Sequence, residues 1–176
     1  MSIYIVVDVE SDGNLIGTNS MVCFGAVHID SELKLDNCFY GQTAPISTAY
    51  NFKALAISGF TREEHKSFDG CHLTMIRFYN WLIQFHKPIL ISDNNGYDAS
   101  WINWYMLKYV GQNPFGWSSR RIGDMFCGFM NDEKYQWKKH RDEQKYPHNH
   151  HPLSDAKGNA SALIYLKEQG FNIKFK

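Results

Sequence analysis

Five apolar residues, Ile3-Tyr4-Ile5-Val6-Val7, run directly into Asp8-Val9-Glu10. A near-continuous apolar, β-branched run of this kind reads as a strand buried on both faces. An acid has no apolar reason to sit within such a strand. Side chains at i and i+2 leave the same face, so Asp8 and Glu10 project together. Carboxylates that close repel each other unless a cation lies between them. Taken alone, Asp-x-Glu at a strand end also fits a turn cap or a solvated edge.

The rest of the chain predicts an α/β arrangement. Strands are expected near residues 3–10, 20–30 and 33–43, the last two joined by a tight turn at Asp30-Ser31-Glu32 to give an antiparallel meander. A helix is predicted over 51–58, and Thr61-Arg62-Glu63-Glu64 supplies a capping-box start for another turn. Leu73, Ile76, Phe78, Tyr79, Leu82, Ile83 and Phe85 recur at roughly helical spacing. Residues 88–91 read as a fourth, parallel strand, whose exit carries Asn94 to Asp98 to a carboxyl end of the sheet, where open α/β folds bind ligands. A helix over 98–110, a Gly/Pro-rich turn over 111–116, a short segment at 124–129 and a last helix over 152–169 complete the pattern. The alternation in Phe171 to Phe175 predicts a short edge strand. At 176 residues there is chain enough for one sizeable core, so a single domain over 1–176 is expected.

Three further groups carry chemistry. Asp98 follows Asn94 and Tyr97; it also suits the N-cap of the next helix. His150 precedes Asp155 by five residues, with His148 and His151 as neighbours, and Asp155 stands where a helix dipole favours an acid. Phosphodiester hydrolysis needs an activated water and a neutralised anionic transition state, and two divalent cations roughly 3.5–4 Å apart provide both. Mg²⁺ takes oxygen ligands and keeps positions open for water and phosphate, so carboxylates are the expected donors.

In this order the motifs resemble those of the DEDDh 3′–5′ exonucleases of the RNase H-like (DnaQ-like) superfamily. Asp8-x-Glu10 matches the first motif, Asn94, Tyr97 and Asp98 the second, and His150, Asp155 and Ala156 the third. Residues 20–27, 113–116 and 155–160 look like a bacterial and phage branch of exonucleases and exoribonucleases. Where the family commonly has Thr-Thr-Gly after the first Glu, this chain has Ser11-Asp12-Gly13. The resemblance implies an RNase H-like mixed sheet, a three-strand antiparallel meander plus parallel strands, flanked by helices. It implies two Mg²⁺ ions, with Mn²⁺ able to substitute: Asp8, Glu10 and Asp155 on one, Asp8 and Asp98 on the other. His150 is then the general base, and Asn94 and Tyr97 shape the loop and pack beneath Asp98. The implied reaction starts at a free 3′-OH and releases nucleoside 5′-monophosphates. A proofreading-type subunit of a larger complex and a non-catalytic nucleic-acid-binding module are the alternatives.

Lys+Arg and Asp+Glu balance at 18 each, whereas proteins that grip long duplexes non-specifically carry a basic excess. The expected partner is therefore a nucleic acid held by a few nucleotides near its 3′ end, as a single strand or a 3′ overhang, with DNA and RNA both open. The one basic run lies over 134–145, where Lys138, Lys139 and Arg141 are candidates to steer the strand. Ser118, Ser119, Arg120 and Arg121 are candidates for phosphate contact or for a solvated loop. Cys23, Cys38, Cys71 and Cys127 are too scattered for a zinc site or disulfide framework, and Cys23 and Cys127 read as buried thiols. With no signal peptide or membrane-length apolar segment, a cytoplasmic protein is expected, with no membrane partner and with a homodimer allowed.

Overall fold

The computed structural model describes residues 3–175, so the two ends of the expected 1–176 domain lie outside the described residues. Five strands, β1 (Ile3–Ser11), β2 (Met21–His28), β3 (Cys38–Gln42), β4 (Pro88–Ser92) and β5 (Arg120–Arg121), form one sheet in the order β3-β2-β1-β4-β5. β1, β2 and β3 pair antiparallel, while β4 and β5 continue the sheet parallel to β1. Helices α1 (Phe52–Ile57), α2 (Arg62–Lys66) and α3 (Cys71–Leu82) cross from β3 to β4. Next come α4 (Asn95–Tyr109) between β4 and β5, then α5 (Ile122–Met130), a 3₁₀ turn at Trp137–His140 and α6 (Pro152–Glu168).

The alternation of β1 decides which helix layer meets the acids. Ile5, Val7 and Val9 point into one core with Phe24, Phe78, Trp101 and Tyr105, beneath α3 and α4. Val6 points into the other, with Val27, Ile91, Phe126, Ala160 and Leu163, beneath α5 and α6. Period 2 therefore sends Asp8 and Glu10 to the α6 side. The ladder pairs Asp8 with Gly25 of β2, and a Cβ on Gly25 would lie 2.5 Å from the backbone of Leu153. Gly25 thus lets the first turn of α6 rest directly on the sheet.

Four expectations need correction. The second turn is wider than three residues: Asp30 Oδ1 accepts from the amides of Glu32 and Lys34, Leu33 is left-handed (φ 63°), and β3 starts only at Cys38. Residues 171–175 form no strand; Ile173 and Phe175 are buried against the α6 core. Arg120 and Arg121, read as a loop, are instead a two-residue strand laddered to Ile91 and Ser92. The α4 helix begins three residues before Asp98, which therefore sits within its first turn rather than at its cap. The Thr61–Glu64 capping box is present, and all four cysteines are free, although Cys127 is only half-buried.

Candidate active site

At the carboxyl ends of β1 and β4, a cleft of about 640 Å³ gathers Asp8 and Glu10 from β1, Asp98 from α4, Asp155 from α6, and His148 and His150 from the loop before it. The four predicted metal ligands and His150 thus reach one place. Carboxylate oxygens of Asp8, Glu10 and Asp155 lie within 4.8 Å of one another, a spacing that suits one shared cation. Asp98 is 2% exposed; its Oδ1 accepts from the Val9 amide at 3.2 Å, while its Oδ2 is buried with no hydrogen-bond partner. A buried carboxylate oxygen left unpaired is costly, and a divalent cation would relieve it. The donor set fits a hard cation.

The electrostatics agree. Burial, then the charges of Asp98, Asp155 and Glu10, push Asp8 well above the usual carboxylate range. Burial and Asp155 raise Glu10 to about 7. Burial raises Asp98 to about 7 as well, the Ser92 hydroxyl and Val9 amide pulling the other way. A cation bound among these carboxyls would favour their charged forms.

The three histidines separate. His151 occupies the N-cap position of α6 without a side-chain capping bond and stacks on Tyr40 of β3 with ring centroids 4.9 Å apart. His150, left-handed at φ 58°, holds Nδ1 3.5 Å from Glu10 Oε1. His148 places Nδ1 2.8 Å from Asp155 Oδ1. Both rings are half-exposed and stand 4.9 Å apart.

Arg141, expected from its charge run to be a surface cation on the strand path, is instead buried. Its guanidinium donates from Nη2 to Asp155 Oδ1 at 3.1 Å and lies 3.1 Å from Glu143 Oε1. Gly158 makes the room, since a Cβ there would meet Arg141 at 2.6 Å. The signal available in the sequence was the short separation from Asp155. Of the basic run only Lys138 otherwise reaches the cleft, paired with Asp93 at 2.6 Å, whereas Lys139 lies over the Tyr135 ring. Arg121 also lines the cleft, and Ser119 bonds to Asn95 at its rim. Asn94 and Tyr97 line the cleft as well: the Asn94 carbonyl accepts from the Asp98 amide at 3.0 Å at the start of α4, and the Tyr97 ring meets Trp101 edge-on.

The replaced Ser11-Asp12 pair has its own structural work. Ser11 Oγ meets the Tyr97 hydroxyl, joining the end of β1 to α4. Asp12 is fully buried and accepts from Arg62 Nη1 at 2.7 Å and from the Ser20 amide, tying α2 to the loop after β1.

A mixed sheet that converges four carboxylates on one cleft, with helices on both faces, defines a nuclease of the RNase H-like class. No family model matches the chain. It is 30% identical over 132 residues to the 3′–5′ DNA exonuclease Cap18 of Escherichia coli, covering 72% of this chain and 68% of that protein. The chain belongs to the DEDDh-type, DnaQ-like 3′–5′ exonucleases. Two solved structures share the fold: a 3′-exonuclease recognising the histone mRNA stem-loop (TM-score 0.77, 15% identity, 98% of this chain) and the zinc-bound complex of Escherichia coli ExoI with single-stranded DNA (TM-score 0.75, 16% identity, 97% of this chain). The chain spans 66% and 41% of those two chains. Among the described residues no helix is long and apolar enough to cross a membrane.

Proposed function

We propose that this protein, as one exonuclease domain, hydrolyses single-stranded DNA from a free 3′-OH and releases nucleoside 5′-monophosphates. The observation that carries the reading is the convergence of Asp8, Glu10 and Asp155 oxygens within 4.8 Å, beside the unpartnered Asp98 Oδ2. Asp8, Glu10 and Asp155 would hold one divalent cation and Asp8 with Asp98 a second, Mg²⁺ being the natural ion and Mn²⁺ a substitute. When bound, the cations neutralise phosphate charge and acidify the attacking water. DNA is favoured over RNA because the 30% identical relative is a DNA exonuclease.

The protein's own groups do the remaining work. His150, half-exposed at the cleft mouth, accepts the proton of the attacking water, a contribution of about 10²–10⁴ in rate. Arg141 and His148 both engage Asp155 Oδ1, which leaves Oδ2 free of those two partners for a cation. The first turn of α6, seated on Gly25, fixes the distance from Asp155 to Asp8.

The test is digestion of matched 5′-labelled single-stranded DNA, single-stranded RNA and duplexes with 3′ overhangs, with Mg²⁺, Mn²⁺ or EDTA. The expected result is stepwise shortening from the 3′ end in the presence of metal, fastest on single-stranded DNA. Full activity in EDTA, or cleavage of a closed single-stranded circle, would overturn it.

A further inference from the structure

A strand whose 3′ end lies in the cleft has to leave it in the 5′ direction, and among the described residues one groove continues the cleft. A groove of about 320 Å³ between α5 and residues 133–138 shares four wall residues with the cleft: Asp93, Asn94, Arg121 and Lys138. The other three described cavities do not continue the cleft in this way. The largest, about 660 Å³, shares only the buried Arg141, and those of about 390 and 330 Å³ share no residue with it.

The chemistry of the shared wall suits a phosphodiester chain. Lys138 and Arg121 are 60% and 49% exposed, and each rests on a single carboxylate: Asp93 at 2.6 Å and Asp124 at 2.7 Å. Further along the groove Lys134 is 85% exposed and only 4.0 Å from Glu133. The Arg121–Asp124 and Lys134–Glu133 pairs are exposed on both sides, so they are weakly held and salt-screened and strand phosphates can take over those cations; Asp93 is only 13% exposed, so Lys138 would keep that partner and bridge it to a phosphate. The floor toward α5 is built from Gly123 and Cys127, small side chains that leave the groove open.

Resting on the exonuclease reading above, we infer that this groove is the binding site for the part of a single strand 5′ to the scissile phosphate, with Arg121, Lys138 and Lys134 as its phosphate contacts. The groove then gives the enzyme a preference for strands of several nucleotides over dinucleotides. A formally neutral protein would otherwise hold its substrate by little more than the terminal residues.

Cys127 is a built-in reporter, a half-buried free thiol in the groove wall. The unaltered protein with Mg²⁺ is alkylated with N-ethylmaleimide in the presence of saturating phosphorothioate-ended DNA of two or ten nucleotides, and each cysteine is followed by peptide mass spectrometry. The ten-mer should slow alkylation of Cys127 at least about fivefold and the dimer less than about twofold, with Cys38 as internal reference. In parallel, Lys134→Ala with Lys138→Ala should lower the salt slope of ten-mer binding by about 1.4, at roughly 0.7 per phosphate contact on a single strand. The same substitutions should change dimer affinity much less. Equal reactivity of Cys127 with ten-mer and dimer, or equal affinity losses for both, would overturn the groove while normal degradation left the exonuclease reading standing. Failure to degrade any oligonucleotide would remove both.

Discussion

His148 and His150 flank the same carboxylates, so the choice of general base turns on what each ring already does. His148 Nδ1 is 2.8 Å from Asp155 Oδ1, within hydrogen-bonding reach of a proposed cation ligand. His150 Nδ1 is 3.5 Å from Glu10 Oε1, too long for a good hydrogen bond, and its ring remains open to the cleft. Its backbone lies at φ 58°, a conformation that a non-glycine residue adopts at a cost of about 1–3 kcal/mol. Strain at a half-exposed loop position is consistent with a side chain held in place for chemistry. His150→Ala should therefore lower kcat by about 10²–10⁴ while leaving Mn²⁺ binding, read by calorimetry, close to that of the parent. His148→Ala should weaken metal binding modestly, since Arg141 still holds Asp155, and should cost less in turnover. Near-parental turnover in His150→Ala with a collapse in His148→Ala would move the base to His148. At this scale strand parity put Asp8 and Glu10 on one face from a local pattern, whereas Asp98, His150 and Asp155 were singled out by the family resemblance; the fold brings all five into one cleft. The sequence misplaced Arg141, because a charge run looks solvated until the fold shows that Gly158 opens a slot for one of its members.

At the level of elements, the site depends on how closely α6 approaches β2. Gly25 stands opposite Asp8 on the ladder, and the atoms that a Cβ there would strike are the backbone of Pro152 and Leu153 rather than a flexible side chain. Relief requires the whole first turn of α6, with Asp155, to lift from the sheet. Gly25→Ala is expected to destabilise by about 1–3 kcal/mol in a denaturant titration and to weaken Mn²⁺ binding in parallel. Gly128→Ala is the control: it lies within α5, a Cβ there meets no atom within 4 Å, and removal of helix glycine should stabilise by about 0.5–1 kcal/mol. If Gly25→Ala proves no more costly than Gly128→Ala and retains metal affinity, α6 is not positioned by that contact. The elements readable in advance were the apolar runs of β1, β2 and β4, the helically spaced α3, the capping-box start of α2, and the helices α1, α4 and α6 between turn signals. The two-residue β5 was not, since two exposed arginines have no alternation and the ladder to Ile91 and Ser92 is a tertiary fact. The tail failed for the opposite reason. Ile173 and Phe175 alternate like a strand, but they are buried as plugs against α6, where the Lys167 ammonium bonds to the Ile173 carbonyl.

For the molecule as a whole, four acids crowded in one cleft cost stability that a bound cation would restore. In the metal-free protein Glu10 is raised from 4.5 to about 7, Asp98 from 3.8 to about 7, and Asp8 well above 3.8. Between about pH 4 and pH 7 the folded state therefore binds more protons at these groups than the unfolded chain does. Because stability rises with pH only where the unfolded state binds more protons, these groups make it fall across that window, and Glu10 and Asp98 contribute little further change above about pH 8. Metal-free protein in EDTA should accordingly show a lower Tm at pH 8 than at pH 5.5, as far as these groups decide it. A divalent cation at a hundred times its Kd adds about 2.7 kcal/mol, equivalent to about 5–10 °C for a chain of this size. The increment should be largest at pH 8 and shrink toward pH 5.5, where protons occupy the same oxygens. Asp8→Asn supplies the sharper contrast, because it removes the most crowded charge together with a proposed ligand. Its Tm in EDTA at pH 8 should exceed that of the parent, while the response to Mn²⁺ should disappear along with nuclease activity. A cation-induced shift equal at both pH values, or an Asp8→Asn protein less stable than the metal-free parent at pH 8, would mean that the four acids are not held in mutual repulsion and that the cleft was not built around a cation.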